Sequence, residues 1–489
     1  MTEMASNVEG GALRTPMLFG RIRTWLMMVA FVTVLAGVLF GYDQGVIAGA
    51  LGGMTASFDL STTMQEVVTS LVTLGALVGA LLGGGLADRF GRTRTLVVAG
   101  VLFAFGALGE SVAQSTGVLT VSRFVVGFGV GIASVAGPLY AAEMAPKQVR
   151  GRFVSSYQLA ITIGILLADI VDAALSDDSR WRLMLGLSIV PGVVLIVVAA
   201  IMPDSPRWLM KMGRRGDARK ALVKTQGGPK IEERLDVIAD DLTANPEAGW
   251  SKVFVPALRR ALWVGVGLAV FQQVTGINAV IYYSDKIFAL AGFSTPEQQT
   301  HATLIAVGLV NVLATLIAVA WVDRFGRKPL LFAGLIGMTV GLLGIASAFA
   351  FLDKNPTAGG GSSVVGVVTL IAMVVYIASF AFSLGPVVWT MISEIFPSQV
   401  RGKAVAVCAA VNWGAAFIVS ATFLSLIDAI GEVATFLLFA VMCVIAFLWI
   451  MSKVPETKGK SLEEIQQAWA EHDQSTTAPK DPTLQVDLA

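Results

Sequence analysis

Charge is what this sequence has least of. Asp, Glu, Lys and Arg make up 14% of its 489 residues, where soluble domains carry about a quarter. Together with a 55% hydrophobic content and a mean hydropathy of +0.74, that shortage excludes a water-soluble globule. Basic and acidic residues nearly balance, 35 against 34, so no global field points to nucleic acid. Cysteine is almost absent. Cys408 and Cys443 both lie in apolar runs and read as small buried hydrophobes, which argues against a disulfide framework. The two histidines, His301 and His472, have no metal-ligand spacing. Gly459-Lys460-Ser461 resembles the end of a phosphate loop, but the position that needs its first glycine is Val454, so nucleotide binding is rejected. No nucleophile–base pair or metal cluster is evident; an enzyme is not expected, nor any cofactor. Residues 1–20 hold Glu3, Glu9 and Arg14 without an apolar core, so no cleavable signal peptide is expected and the first span would target the chain.

What the chain has is apolar runs of about 20 residues, the length of a helical membrane span. Short alternating segments, the mark of a membrane barrel, are not the pattern. Twelve spans are predicted over about 25–57, 63–87, 95–112, 119–142, 154–175, 182–202, 259–288, 300–322, 330–352, 364–393, 403–427 and 432–452. The expected organisation is an N-terminal segment 1–24, a six-helix bundle 25–202, a polar helical linker 203–258, a second six-helix bundle 259–452 and a tail 453–489. In the linker, Ser205-Pro206 predicts a helix start, a helix over 207–224, a Gly-Gly-Pro break and a second helix over about 230–243. In the tail, Ser461-Leu462-Glu463-Glu464 predicts a short helix to about Glu471, with 473–489 disordered.

Lys and Arg cluster on alternate loops: Arg21 and Arg23, then Arg89, Arg92 and Arg94, then Lys147, Arg150 and Arg152, then Arg324, Arg327 and Lys328, then Arg401 and Lys403. That side, with both termini and the linker, is predicted to be cytoplasmic.

The halves repeat one another. Asp88-Arg89-Phe90-Gly91-Arg92 recurs as Asp323-Arg324-Phe325-Gly326-Arg327. Glu143, followed by Pro146 and Gln148-Val149-Arg150-Gly151, recurs as Glu394, Pro397 and Gln399-Val400-Arg401-Gly402. Same order and same side mean parallel repeats. These carboxylates and arginines could pair across helix ends and latch the cytoplasmic side; simple topology signalling is the alternative, and the fixed Glu-to-Arg spacing favours the latch.

The repeated loops in a twelve-span chain resemble the major facilitator superfamily. Gly41-Tyr42-Asp43, Ser122-Arg123-Phe124, Pro203-Asp204-Ser205-Pro206-Arg207-Trp208, Phe271 to Asn278 (FQQVTGIN), Gly385-Pro386 with Trp389, and Pro455-Glu456-Thr457-Lys458-Gly459 narrow the resemblance to its sugar porter family, over about 25–470. The resemblance adds Asp204 and Glu456 to the latch. Asp204 stands where that family usually has glutamate, so charge type is kept.

A sugar presents hydroxyls that donate and accept, and apolar C–H faces; neutral amides and aromatic rings match both. The second half supplies Gln272, Gln273, Asn278, Asn311 and Asn412 with Phe380 and Trp389, and span 5 adds Gln158. The resemblance implies sugar contact at these positions, and places Phe40 and Tyr282 as aromatics lining or closing the cavity. Ile165 stands where a second glutamine often follows, which leaves the sugar open. Gln272, Gln273 and Asn278 share a face only if the helix breaks near Gly276. Taken singly, each amide could instead be interhelical glue. Gly75/Gly79 and Gly127/Gly131 read as close helix packing.

Asp43 is the only full charge between Trp25 and about Phe58, and a charge at mid-bilayer costs about 2.5–3.5 kcal/mol. Arg123, in the outer part of span 4, is its predicted partner. The charges inside the spans are expected to stop there, with Asp169 and Asp172 near the outer end of span 5. An Asp whose proton affinity depends on a facing arginine is a coupling device; a static ion pair is the alternative. The expectation is therefore proton-coupled import of a monosaccharide, D-glucose or a similar hexose, across the cytoplasmic membrane by alternating access. Protons are the coupling ion, and the carrier is taken as a monomer in the lipid bilayer. A passive uniporter, a proton symporter for a pentose or myo-inositol, and a non-transporting sugar sensor stay open; the short tail after Lys453 argues against the sensor.

Overall fold

The computed structural model describes residues 21–146, 150–176, 180–227, 230–244, 249–354, 363–397, 399–458 and 464. The N-terminal segment before Arg21, the tail helix and terminal stretch expected after residue 460, the Gly-Gly-Pro break beyond Gly227, and the side chains of Arg150 and Asp323 lie outside the described residues.

Among the described residues every regular element is helical. The first half comprises α1 (Arg21–Phe58), α2 (Thr62–Phe90), α3 (Arg92–Ser111), α4 (Thr116–Met144), α5 (Arg150–Ala174), and a sixth span in two pieces, α6 (Trp181–Gly186) and α7 (Ile189–Ile201). The linker forms α8 (Pro206–Lys211), α9 (Arg215–Thr225) and α10 (Ile231–Ala244). The predicted single helix 207–224 is thus divided: Gly213 adopts φ 71°, and the Arg214 N–H turns back to the Leu209 carbonyl at 2.8 Å. Ser205 caps α8 as expected, its hydroxyl accepting from the Trp208 N–H with Pro206 at the first turn.

The second half comprises α11 (Arg259–Val274), α12 (Ile277–Tyr282), α13 (Ser284–Leu290), α14 (Pro296–Thr303), a π-helical turn Leu304–Leu309, α15 (Val310–Phe325), α16 (Arg327–Lys354), α17 (Val364–Phe382), α18 (Leu384–Glu394) and α19 (Arg401–Lys453). At 53 residues α19 would run about 80 Å at 1.5 Å per residue, against a hydrocarbon core of about 30 Å. It is two spans. Gly431, at φ 82° and ψ 164°, leaves the helical region and turns the chain back. Among the described residues, eleven helical stretches are long and apolar enough to cross a membrane, and this turn makes the last of them two, giving the twelve predicted spans. Exposed apolar side chains such as Phe105, Val121, Ile317 and Ile418 coat the outside, a surface suited to lipid and not to water.

Small residues set how closely the spans approach. A Cβ at Gly127 would sit 1.9 Å from the Val72 carbonyl oxygen, and one at Gly75 2.2 Å from that of Phe124, so α2 and α4 pack backbone to backbone. Gly41 does the same for α1 against Ile161 of α5. The linker helices share a small core of Trp208, Leu209, Ala218, Ala221, Leu222 and Leu235, anchored to the first half where Trp208 Nε1 donates to the Asp88 carbonyl at 2.8 Å.

The two ends of the bundle differ. On the end away from the linker, polar groups join the halves. Glu66 of α2 accepts from the Ser425 N–H at 2.7 Å and the Ser425 hydroxyl at 2.6 Å, and Lys286 of α13 donates to Gln65. On the linker end, no ion pair among the described residues joins the two halves: Arg92 pairs with Asp88 and Glu143 inside the first, Arg327 with Glu394 inside the second, and Lys211 of the linker with Asp88 of the first.

Candidate functional site

Asp43 is placed by the middle of α1, and Arg123 by the second turn of α4. Arg123 is fully buried, and its Nη1 donates to Asp43 Oδ1 at 2.8 Å. The predicted pair therefore exists, but it is not alone. Glu110, in the last turn of α3, is 1% exposed, and its Oε1 lies 3.4 Å from the same Nη1. Arg123 Nε reaches the Val68 carbonyl at 3.4 Å, and Nη2 has no partner among the described residues. The expectation that charge inside the spans stops at Asp43 and Arg123, with Asp169 and Asp172 on span 5, is corrected: Asp169 and Asp172 are buried, and Glu110, Glu66 and Asp285 are buried as well. Glu110, Glu66 and Asp285 each have a partner at short range, Arg123, Ser425 and Thr303 respectively. Pairing is what makes an intramembrane carboxylate tolerable, and the sequence does not display it.

The amides come together in two groups. Asn412 Nδ2 donates to Gln272 Oε1 at 2.8 Å and to the Ala269 carbonyl at 2.9 Å; Gln273 Nε2 donates to Asn412 Oδ1 at 3.2 Å; Gln272 Nε2 donates to the Leu384 carbonyl at 2.8 Å. Gln273 Oε1 is left without a partner among the described residues. The second group joins the halves: Gln44 Nε2 donates to Asn278 Oδ1 and to the Tyr282 hydroxyl, both at 3.4 Å. The helix breaks between Val274 and Ile277, with Gly276 at φ 96°, which is where the shared face required it. That break aims Gln272 and Gln273 from α11, and Asn278 and Tyr282 from α12, into the interior.

The other residues gather less tightly. Gly385, just inside α18, stands where an added Cβ would lie 3.5 Å from the Phe380 ring and 3.9 Å from Gln158 Nε2, so both line the same space. Phe40 packs on Trp413 with ring centroids 5.1 Å apart. Ile165 is buried against Gly45 of α1. Asn311 is buried one residue beyond the start of α15, and Trp389 is half-buried on α18; among the described residues no hydrogen bond joins either to the amide groups. Gln44, Glu110 and Trp413 are the residues the sequence reading missed. Gln44 and Trp413 each adjoin a residue that was named, and Glu110 is the one charge in the outer half of span 3.

The repeated loops build matching cages. In the first, Arg92 grips Glu143 with two bonds of 2.8 Å and pairs with Asp88 at 3.4 Å, while Asp204 accepts from the Arg92 N–H at 2.8 Å. In the second, Arg327 donates to Glu394 at 2.9 Å, and Glu456 accepts from the N–H groups of Arg327 and Lys328 at 3.1 and 2.9 Å. Asp204 and Glu456 thus cap the starts of α3 and α16. Burial pushes the Glu456 carboxyl up, but the backbone N–H groups of Lys458, Lys328, Arg327 and Thr457 outweigh it and hold it below the usual range. Arg89 lies over the Phe90 ring at 5.4 Å. Arg401 Nε donates to the Phe396 carbonyl at 3.1 Å, and the Arg324 carbonyl accepts from Lys458. Neither arginine side chain has a recorded ion pair among the described residues. A separate cavity of about 390 Å³ lies beside α3, α7, α8 and α9, with Arg94, Trp208, Arg214 and Lys220 in its wall; of the predicted residues it holds Asp204 alone.

The chain is similar to known sugar carriers in both sequence and fold. The family model described as sugar (and other) transporter matches residues 29–469. The arabinose-proton symporter of Escherichia coli K12 is 41% identical over 456 residues, covering 92% of this chain and 95% of its own. The galactose-proton symporter of the same strain is 40% identical over 440 residues, covering 90% and 93%. Among solved structures, the major facilitator superfamily proton:xylose symporter XylE bound to 6-bromo-6-deoxy-D-glucose aligns with a TM-score of 0.75 at 32% identity, covering 92% of this chain and all of that one.

Proposed function

We propose, starting from the fact that this chain belongs to the sugar (and other) transporter family, that it imports a monosaccharide, D-glucose or a similar hexose, together with a proton. One observation carries the reading: a carboxylate–guanidinium pair, Asp43–Arg123, is buried in one half, and neutral amides face the interior from the other. The named relatives are proton symporters for sugars, which supports the coupling.

Asp43 takes a proton from outside when sugar occupies the amides, and the pair with Arg123 loosens. The cavity then opens inward, sugar leaves, Asp43 releases its proton, and Arg123 recaptures it. Each charge moved through 100 mV is worth about 2.3 kcal/mol, enough to drive accumulation. The Gln272–Gln273–Asn412 group and Gln158 bind hydroxyls, Phe380 and Trp389 cover the C–H faces, Asn311 and Asn278 complete the site, and Phe40, Ile165 and Tyr282 shape or close it. The Arg92 and Arg327 cages, with Asp88, Arg89, Glu143, Arg150, Asp204, Asp323, Arg324, Glu394, Arg401 and Glu456, form the cytoplasmic latch. Both termini face the cytoplasm, the residence is the cytoplasmic membrane, and the carrier acts as a monomer built of two six-helix units joined by the linker 203–258.

A pentose is the second reading, favoured by likeness to the arabinose-proton symporter. Radiolabelled glucose uptake into proteoliposomes, with and without an acid-outside gradient, tests the proposal, and unlabelled sugars in competition rank substrates. Gradient-dependent accumulation is expected. Equilibration without accumulation would mark a passive uniporter, and binding without uptake a sensor.

A further inference from the structure

Arg123 Nη1 is shared. It lies 2.8 Å from Asp43 and 3.4 Å from Glu110, both deeply buried. Two carboxylates therefore compete for one guanidinium edge. The other groups nearby do not alter this count. Tyr282 of α12 faces the pair and is held by Gln44; Glu66 of α2 is turned to Ser425; Tyr42 of α1 donates to the Met184 carbonyl; on α5 Asp172 accepts from the Gly49 N–H and Asp169 lies beside Gly308; on α13 Asp285 is turned to Thr303 and Lys286 to Gln65; Arg182 of α6 donates to the Ala113 carbonyl; α7 carries no titratable residue.

We propose that Glu110 is the alternate counter-ion of Arg123, which passes from Asp43 to Glu110 each time Asp43 takes its proton. This rests on the proton-coupled reading above and deepens it. With both acids ionised, the trio carries one net negative charge; with Asp43 protonated it is neutral. Without Glu110, protonating Asp43 strands a lone guanidinium in a low-dielectric interior, which is the expensive case. Glu110 therefore makes proton uptake by Asp43 easier, although it touches neither proton nor sugar. It is a positioning residue. The 0.6 Å difference between the two contacts fits a carboxylate waiting its turn.

The test is initial uptake of labelled sugar into proteoliposomes across external pH. Glu110→Gln keeps shape and removes charge. Its half-maximal rate should fall at lower pH than that of the unmodified protein, by about one unit or more, the equivalent of a tenfold rise in proton concentration. Glu110→Asp, with charge kept but reach shortened, should shift the midpoint less and in the same direction, which keeps the test valid if the glutamine variant fails to reach the membrane. In an Asp43→Asn background, where counterflow is the readout, adding Glu110→Gln should leave its pH profile unmoved. A lowered maximal rate with the midpoint in place, or a midpoint moved toward alkaline pH, would overturn the proposal. If the unmodified protein itself shows no pH dependence, the coupling reading fails instead.

Discussion

The two halves of this molecule repeat in sequence and differ in chemistry. The first buries Asp43, Glu110 and Arg123 together; the second presents Gln272, Gln273, Asn278, Asn311 and Asn412. Their linker-side cages, by contrast, match in layout: Arg92, Glu143 and Asp204 against Arg327, Glu394 and Glu456. The repeat has kept what holds each bundle together and diverged in the polar groups that face the interior. A charged trio in one half can answer to protons without binding sugar, and neutral amides in the other can bind hydroxyls without answering to pH. Coupling then has to pass between halves, and Gln44 with Asn278 and Tyr282 is a polar contact between them that sits at the amides themselves.

The division of labour is broken most completely by Asp43→Asn. Accumulation against a gradient should fall to simple equilibration while counterflow exchange persists; loss of both would make Asp43 structural. Next comes the sugar side. Gln272→Ala or Asn412→Ala removes a buried hydrogen-bonding group worth about 1–3 kcal/mol, so KM should rise about 5- to 150-fold. The pH midpoint should stay where it is, and a coupled shift in both would deny that the halves act separately. A smaller effect is expected at the far end. Glu66→Gln keeps an acceptor for Ser425 and loses the charge, a change of about 1 kcal/mol, or roughly fivefold toward the far-side-open population. Spin-label distances between cysteines introduced at Ser61 and Ala429 would read it, and an unchanged distribution would remove Glu66 from that closure.

The smallest effect compares the cages. The Glu456 carboxyl is held low in the fold, so its contribution to stability is complete above the ordinary glutamate range and is lost as pH falls through its lowered folded value. Glu456→Gln should lower the melting temperature slightly near neutral pH and flatten its decline at acid pH; an equal loss at every pH would assign Glu456 to packing.

Spans, repeat and linker-side motifs were legible because each is a local pattern: apolar length, Lys/Arg placement, a five-residue loop copied once. So was the break at Gly276, because three amides could share a face in no other way. The division of the 207–224 helix at Gly213 was not, since a single glycine among good helix formers is ordinary in sequence. Glu110 was hidden for a different reason. Near the end of a span a glutamate reads as a group on its way to water, and only the packing of α3 on α4 buries it against Arg123. The grouping of Gln44 with Asn278 was likewise invisible, since their 234-residue separation closes only when the halves meet.

The most direct test measures protons and sugar together. Purified protein in lightly buffered proteoliposomes is given sugar outside, and external pH is followed. The unmodified protein should alkalinise the medium as sugar enters, and Asp43→Asn should exchange sugar with no pH change. Sugar-evoked alkalinisation by Asp43→Asn equal to that of the unmodified protein would contradict the account.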